Sequence, residues 1–192
     1  MNAIILASGF SKRMGKNKLL MKIGKELIIE KVIKTIKISN FSNIILVGND
    51  KKVIELAINY GIKPIKNESP GYGQSQSIKL GLKEANLEYN FMFFCGDQPF
   101  IDTESINKLI DASNLYKENI IIPRFIDKIG SPVIFPKSLK QNLENLQGDV
   151  GGKEVIRNNK DLVKYVDIDN CLFLQDIDTI EDYKEFIEVI KK

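Results

Sequence analysis

Short apolar runs alternate with amphipathic segments along most of the chain. The apolar runs are continuous rather than alternating, which is typical of strands in a sheet that is covered on both faces. Seven runs predict strands: Asn2 to Leu6, Asn43 to Val47, Lys63 to Lys66, Phe91 to Cys95, Ile120 to Ile122, Pro132 to Phe135 and Val163 to Val166.

Between these runs, apolar residues recur every three to four positions, the spacing of one helix face. Such faces are formed by Leu27, Ile28, Val32 and Ile36, by Val53, Leu56, Ala57 and Tyr60, by Ile78, Leu82 and Ala85, by Ile106, Leu109 and Ile110, and by Tyr183, Phe186, Ile187 and Ile190. Residues 128–136 read as a loop entering a strand, and 148–152 as a turn feeding a helix. The succession predicts an α/β protein, a Rossmann-like three-layer α/β/α sandwich with a mostly parallel sheet.

The length and composition limit the function classes. A chain of 192 residues can bury one substantial core, and without a repeat or linker we expect a single domain over 1–192. The 28 basic and 25 acidic residues nearly cancel, which does not indicate a nucleic-acid or membrane partner. No apolar stretch approaches the roughly 18 residues needed to cross a bilayer, and the apolar start is too short for a signal peptide, so we expect a cytoplasmic protein.

The reactive side chains narrow the chemistry further. The chain has no histidine, which removes every Ser-His or Cys-His dyad and every histidine-ligated metal. Cys95 and Cys171 stand far apart without metal-binding spacing. They fit a reducing compartment and argue against a disulfide framework or a zinc site.

The loop after the first predicted strand is basic and contains two glycines. It is not a P-loop, because Gly9 and Gly15 are one residue too far apart and Asn17 stands where serine or threonine is required. What remains is a flexible loop with Arg13 and Lys18, which could clamp an oligophosphate by charge-assisted hydrogen bonds. The alternative is a solvated basic loop.

Carboxylates follow two other segments. Asp97 comes two residues after Cys95, the end of an apolar strand, and Asp176 and Asp178 alternate near the C-terminus. Magnesium that bridges phosphates takes one or two carboxylates, so these residues predict a metal site at the sheet edge. Each has a structural alternative: Asp97 could initiate a turn, and Asp178 or Thr179 could cap the last helix.

Several motifs together resemble a known family. The motifs are LASGFSKRMGKNKLL, NESPGYGQSQSIKLGL, CGDQP, GSPVIFP, LQGDVGG and DIDTIED. In their order and spacing, the chain is similar to the molybdenum cofactor nucleotidyltransferases of the nucleotide-diphospho-sugar transferase fold, and most resembles the molybdenum cofactor cytidylyltransferases. The resemblance covers residues 3 to about 186.

The resemblance implies a role for each matching residue. Arg13, Lys18 and Asp97 would form the catalytic group, with Arg13 and Lys18 on the triphosphate. Asp97 would bind Mg²⁺, assisted by Asp178 and Asp176. The nucleotide would lie on Arg13 and Lys18 and on these further residues: Leu6, Ala7, Ser8, Gly9, Asn67 and Ser77.

The resemblance also implies a reaction, in which the phosphate of molybdopterin attacks CTP and releases pyrophosphate. Ser8 favours cytosine, because guanylyl-transferring relatives carry glycine there and a side chain fills space that a purine would need. Two positions depart from the cytidylyl pattern: Ser131 stands where histidine is common, and Lys153 where arginine is usual.

Other functions stay open at this point. Guanylyl transfer to the same cofactor, nucleotidyl transfer to a sugar or polyol phosphate, and a non-catalytic nucleotide or cofactor chaperone are the alternatives. The resemblance allows a transient contact with a molybdenum hydroxylase that receives the product. We expect a monomer.

Overall fold

The computed structural model of the protein describes residues 1–9, 14–15 and 17–190. Within these residues, the chain forms ten strands and seven α-helices. The strands are β1 (Asn2–Ala7), β2 (Lys22–Ile23), β3 (Glu26–Leu27), β4 (Asn43–Gly48), β5 (Lys63–Lys66), β6 (Phe91–Cys95), β7 (Ile120–Phe125), β8 (Lys128–Ile129), β9 (Val133–Phe135) and β10 (Val163–Asp167). The α-helices are α1 (Ile28–Lys37), α2 (Lys51–Asn59), α3 (Gln74–Lys83), α4 (Thr103–Leu115), α5 (Lys140–Glu144), α6 (Gly152–Asn158) and α7 (Ile180–Ile190).

The main sheet has the strand order β10-β7-β9-β6-β1-β4-β5, with β8 beside β7. β5, β4, β1 and β6 are parallel neighbours, and β10 is parallel to β7. β9 runs antiparallel to both β6 and β7 and so joins the two parallel groups. The predicted α/β fold with a mostly parallel sheet is therefore confirmed.

Helices cover both faces of the sheet, which explains the continuous apolar strands. In β1, Ala3 and Ile5 pack into one core layer, while Ile4 between them packs into the other. The first layer contains buried residues of α1, α2 and α4 together with Phe186 of α7; the second contains those of α3, α5 and α6. Because side chains alternate along a strand, a sheet with two buried faces needs apolar residues at every position.

The structure differs from the predicted elements mainly in short strands. β2 and β3 form a two-stranded hairpin that the apolar pattern did not predict. β8 lies inside the segment read as a loop and pairs with the end of β7. Strands of two residues are too short to produce an apolar periodicity, so their pairing is set by the turns between them.

The parallel pairing of β1 and β6 determines where the chemistry lies. Leu6 pairs with Cys95, so the residues after each strand emerge side by side at one edge of the sheet. α3 packs closely behind this edge: a Cβ on Gly81 would lie 2.5 Å from Cγ2 of Ile4. None of the helices within the described residues combines the length and apolar composition needed to cross a membrane.

Candidate active site

A cavity of about 590 Å³ opens at the carboxyl ends of β1 and β6. Its walls come from five parts of the chain: the end of β1 with the loop that follows it, the turn and N-terminus of α3, the turn after β6, the segment around Asp149, and the segment before α7. The lining residues are Leu6, Ala7, Ser8, Gly9, Lys18, Leu19, Pro70, Gly73, Gln74, Ser77, Cys95, Gly96, Asp97, Asp149 and Asp178.

Lys18 enters the cavity from a short 3₁₀ turn, Lys18–Leu20. Asn17 caps this turn by accepting a hydrogen bond from the Leu19 N–H at 3.1 Å, and its amide donates to Asp50 Oδ2 at 3.0 Å. The buried Leu19 side chain holds the turn against the core. These contacts fix the backbone of Lys18 and leave its long side chain as the part that can move.

The ammonium group of Lys18 lies between two carboxylates. Its Nζ is 2.6 Å from Asp97 Oδ2 and 2.8 Å from Asp178 Oδ1. The Lys18 and Asp97 side chains are 11% and 19% exposed, whereas that of Asp178 is 38% exposed. The segments that carry the two carboxylates are joined by the Ile177 N–H, which donates to the Asp97 carbonyl at 3.1 Å.

The electrostatics follow from this arrangement. Burial acts to lower the pKa of Lys18, but the charge of Asp97 and the hydrogen bonds to Asp178 and Asp97 outweigh it and raise the pKa above its ordinary value. Burial and the Asp97 charge raise the pKa of Cys95 to about 12. The Cys95 thiol therefore stays protonated at neutral pH and does not supply a nucleophile.

The oxygen donors suit a hard divalent cation. Asp97 and Asp178 both reach one ammonium nitrogen, so their oxygens already converge on a common point. Among residues 1–9, 14–15 and 17–190, no three carboxylates, thiols or imidazoles come together as a metal site. A site with two carboxylates matches Mg²⁺, which usually completes its shell with water and substrate phosphates.

The N-terminus of α7 is capped by Thr179 and Asp182, while Asp178 lines the cavity. The N–H of Asp182 donates to Thr179 Oγ1 at 3.1 Å, and the Asp182 carboxylate accepts from the Thr179 N–H at 2.8 Å. Thr179 and Asp182 thus form a reciprocal cap. Asp178, one residue earlier, points to Lys18 instead, and Asp97 likewise binds Lys18 rather than serving only in its turn.

The family model of the MobA-like NTP transferase domain matches residues 3–163, which contain the cavity floor and both Lys18 and Asp97. This chain belongs to that family. It is a nucleotidyltransferase by family membership, and the mixed α/β sandwich is the fold expected for it.

A curated relative supports the family assignment, and solved structures share the fold. Over 194 aligned residues the chain is 30% identical to a probable molybdenum cofactor guanylyltransferase of Clostridium perfringens, covering 100% of this chain and 86% of the relative. The molybdopterin-guanine dinucleotide biosynthesis protein A of Archaeoglobus fulgidus has the same fold, with a TM-score of 0.75, 21% identity and coverage of 100% and 99%. Rv0371c of Mycobacterium tuberculosis, solved as a complex with manganese, aligns with a TM-score of 0.80 at 21% identity, covering 97% of each chain.

Most of the residues predicted for this MobA-like transferase meet at the cavity. Leu6, Ala7, Ser8, Gly9, Lys18, Ser77, Asp97 and Asp178 all line it. Arg13 lies outside the described residues, so its place on the triphosphate stays a prediction.

Asn67 lies behind the cavity wall rather than in it. It is 1% exposed, donates to Ser77 Oγ at 3.1 Å, and accepts from the Ser69 N–H at 3.0 Å. Its amide therefore orients Ser77 and the turn that leads into α3. Asn67 is not among the residues that line the cavity, and its place in the nucleotide pocket stays a prediction.

Asp176 does not complete a group of three carboxylates with Asp97 and Asp178. Residues two apart share one side only in an extended segment, and residues 175–179 do not form a strand. Asp176 still belongs to the electrostatic environment of the site. Partial desolvation and the charges of Asp97 and Asp178 raise its pKa.

Ser8 is tied to the neighbouring strand. Its hydroxyl donates to the Val47 carbonyl at 3.2 Å, and the residue is 8% exposed. The side chain is thus held against the end of β4. Ser8 also lines the cavity, so its effect on the choice of base stays a prediction.

The segment 146–151 is the part of the site that residue patterns missed. Asp149 accepts from the Gln74 N–H at 3.1 Å, and the Ser75 hydroxyl donates to the Gly148 carbonyl at 2.7 Å. These bonds dock the segment on the N-terminus of α3, where Asp149 lines the cavity. The motif LQGDVGG was a signal of family resemblance, but its contact with α3 spans more than 70 residues and has no local signature.

Proposed function

We propose that this protein is a molybdenum cofactor guanylyltransferase, which transfers GMP from GTP to the phosphate of molybdopterin and releases pyrophosphate. One observation carries the reaction class: a cavity at the strand ends of a MobA-like NTP transferase in which Lys18 lies between Asp97 and Asp178. A cation and a potential metal-binding pair at one point suit a polyphosphate substrate.

The choice of guanine replaces the cytosine expectation. Similarity to the probable guanylyltransferase of Clostridium perfringens extends over 100% of this chain. A second relative with that name, from Natranaerobius thermophilus, is 35% identical over 124 residues. The argument for cytosine depended on the Ser8 side chain, and the hydrogen bond to the Val47 carbonyl takes that hydroxyl to β4.

The reaction needs positioning and charge neutralisation rather than a general base. The phosphate monoester of the acceptor is largely ionised at neutral pH, because its second pKa is about 6. One of its oxygens forms a bond to the α-phosphorus of GTP, and the bond from that phosphorus to the oxygen bridging to the β-phosphate breaks. Pyrophosphate leaves with that oxygen. A chain without histidine is therefore compatible with the reaction.

Lys18 and the two aspartates have distinct tasks in this scheme. Lys18 neutralises phosphate charge at the cavity, as a lysine does in other nucleotide sites. Asp97 and Asp178 would hold Mg²⁺ together with phosphate oxygens and water. When bound, the ion supplies further neutralisation of the developing charge. The manganese in the solved Rv0371c structure is consistent with a divalent cation at this fold.

The proposal also includes the partners expected from the sequence. Molybdopterin and GTP are the small-molecule substrates. A transient contact with the molybdenum enzyme that receives the product, and a monomeric protein, remain expectations within it.

Pyrophosphate release tests the proposal directly. GTP, CTP, ATP and UTP are each supplied with Mg²⁺, with and without molybdopterin. Release with GTP that requires the pterin is the expected result. Pterin-dependent release with CTP would overturn the guanine assignment and restore the cytidylyl expectation, and release only with a sugar or polyol phosphate would overturn the acceptor. If the folded protein released no pyrophosphate with any pair of nucleotide and acceptor, the proposal that it is a catalyst would be overturned.

A further inference from the structure

The Lys18 ammonium occupies the point at which the Asp97 and Asp178 oxygens converge. Both distances, 2.6 and 2.8 Å, are those of charge-assisted hydrogen bonds. A divalent cation bound by the same two carboxylates would lie at or next to this point. An ammonium group and a metal ion cannot both remain there, because two positive charges a few ångströms apart repel each other strongly in a partly buried site.

We propose that Lys18 is a built-in counter-ion of the metal site, which holds the Asp97–Asp178 pair until a divalent cation displaces it and the ammonium moves to the nucleotide phosphates. The inference deepens the proposed function and rests on it for the identity of the exchanging ligand.

The carboxylates need such a partner in the absence of metal. Asp97 is largely buried, and Asp176 adds a third negative charge near the pair. Negative charges this close repel one another, and the positive charge of Lys18 reduces that repulsion between the Asp178 segment and the turn after β6. Lys18 keeps the two segments together, in addition to the backbone bond from Ile177 to Asp97.

The local structure also permits the exchange. The backbone of Lys18 is fixed by the capped 3₁₀ turn, but its four-carbon side chain can redirect the ammonium within the cavity without any change of the fold. Ser8 and Gly9, at the start of the basic loop after β1, line the same cavity. The metal ion would therefore take the position that the Lys18 ammonium leaves, and the ammonium would move to the phosphates in the same cavity.

The exchange predicts opposite effects of one substitution on two ligands. Lys18→Met keeps the length of the side chain and removes its charge. Without nucleotide, the variant should bind Mn²⁺ at least about tenfold more tightly than the wild type, since the competing cation is gone. The same variant should bind GTP more weakly in the presence of Mn²⁺, since a phosphate partner is lost. A residue that only maintained the structure would weaken both.

Mn²⁺ binding to the full chain, followed by electron paramagnetic resonance of the free ion, provides the measurement. Two variants serve as controls. Lys18→Arg keeps the competing charge and should retain the weak wild-type affinity for Mn²⁺. Lys51→Met removes one positive charge from a side chain that is 90% exposed on α2 and should also match the wild type. Equal or weaker Mn²⁺ binding by Lys18→Met, or undetectable binding by both it and the wild type, would overturn the proposal.

A second measurement uses only the wild-type protein and covers the case in which Lys18→Met does not fold. Acetylation of lysine amines is followed by mass spectrometry with and without Mn²⁺, with Lys51 as the internal reference. Displacement predicts faster modification of Lys18 when Mn²⁺ is present. An unchanged or slower rate would contradict it. Neither measurement depends on turnover. If both gave the expected results but the protein released no pyrophosphate with GTP, the proposed function would be refuted and the role of Lys18 as a counter-ion would stand.

Discussion

Asp97 contacts the Lys18 ammonium and is one of the two carboxylates proposed to bind a metal ion. It lies in the turn after β6, accepts a hydrogen bond from the Lys18 ammonium, and lines the cavity. Asp97→Asn keeps the size of the side chain and one acceptor oxygen but removes the negative charge. We expect turnover with GTP and molybdopterin to fall by about 10² or more, as for loss of an electrostatic group in other active sites. Steady-state pyrophosphate release provides the measurement.

The control for this substitution is Asp111→Asn, at an exposed position of α4. It should leave turnover at the wild-type level. If a folded Asp97→Asn protein also turned over at nearly that level, Asp97 would have no role in metal or phosphate binding.

Asp182 shows how a single carboxylate outside the cavity supports the site. Burial acts to raise its pKa, but hydrogen bonds from the N–H groups of Thr179 and Asp178 and from the Thr179 side chain lower it below the ordinary value of 3.8. A carboxyl group whose pKa is depressed in the folded state stabilises the protein above its ordinary pKa. This contribution is lost as the pH falls through the folded value.

Asp182→Asn should therefore lower the free energy of unfolding by about 0.5–1 kcal/mol at pH 7. The difference from the wild type should shrink as the pH falls from about 5 towards 2, because the wild-type carboxylate then becomes protonated. Urea unfolding at a series of pH values measures it. Glu181→Gln, an exposed neighbour in the same helical turn, is the control. A difference that did not change with pH would show that the carboxylate charge is not what stabilises the turn.

At the level of the elements, the N-terminus of α3 depends on a glycine. Gly73 precedes this helix with φ of +82°, and a Cβ there would lie 2.4 Å from Cα and 2.5 Å from N of Asp149. The segment 146–151 can dock on α3 only because this side chain is absent. The conformation also favours glycine independently of the contact.

Gly73→Ala should lower the free energy of unfolding by at least about 1–3 kcal/mol and raise the KM for GTP, since Asp149 must leave the cavity wall. Gly71→Ala is a close control, because a Cβ at Gly71 meets no atom within 4 Å. Chemical denaturation and steady-state kinetics of the two variants test the comparison. Similar behaviour of both would mean that docking of segment 146–151 does not shape the nucleotide site.

At the level of the whole molecule, the cavity is lined by five separate parts of the chain, so a bound nucleotide should stabilise the fold. GTP with Mg²⁺ at about 100 times its Kd should raise the free energy of unfolding by about 2.7 kcal/mol and the Tm by about 5–10 °C. We expect a smaller shift with CTP at the same concentration. Differential scanning calorimetry provides the measurement, with Asp97→Asn as the variant in which the shift should diminish. An equal shift with both nucleotides would contradict base selection in the binding step.

The predictability of the fold varied with the length of each element. β5 and β6 begin and end at the predicted residues. For β6 the boundaries are marked by the change from Asn90 to an apolar run and from that run to Gly96. The direction of β9 had no local signal. Its antiparallel pairing with β6 and β7 depends on the path of the connections, which a periodicity does not encode.

The candidate site divides in a similar way. Lys18 and Asp97 were predicted because each follows the end of a strand, where a parallel sheet collects ligand-binding groups. The residue pattern around Asp178 and Thr179 left open which of them caps the last helix, and only the family resemblance gave Asp178 a definite metal-binding role. The structure separates them through the Asp182–Thr179 cap and the position of Lys18. Asp149 was missed because its contact with Gln74 is a tertiary one.

The sequence by itself determined the α/β class, the apolar strands buried on both faces, and the types of charged group available at the strand ends. These follow from local patterns, because side-chain direction repeats with a period of two in strands and 3.6 in helices. Only the tertiary structure decided that Lys18 lies between Asp97 and Asp178, that Ser8 is tied to β4, and that Asp149 reaches α3. Those contacts join residues far apart in the chain, and their distances depend on how the strands and loops pack around one cavity.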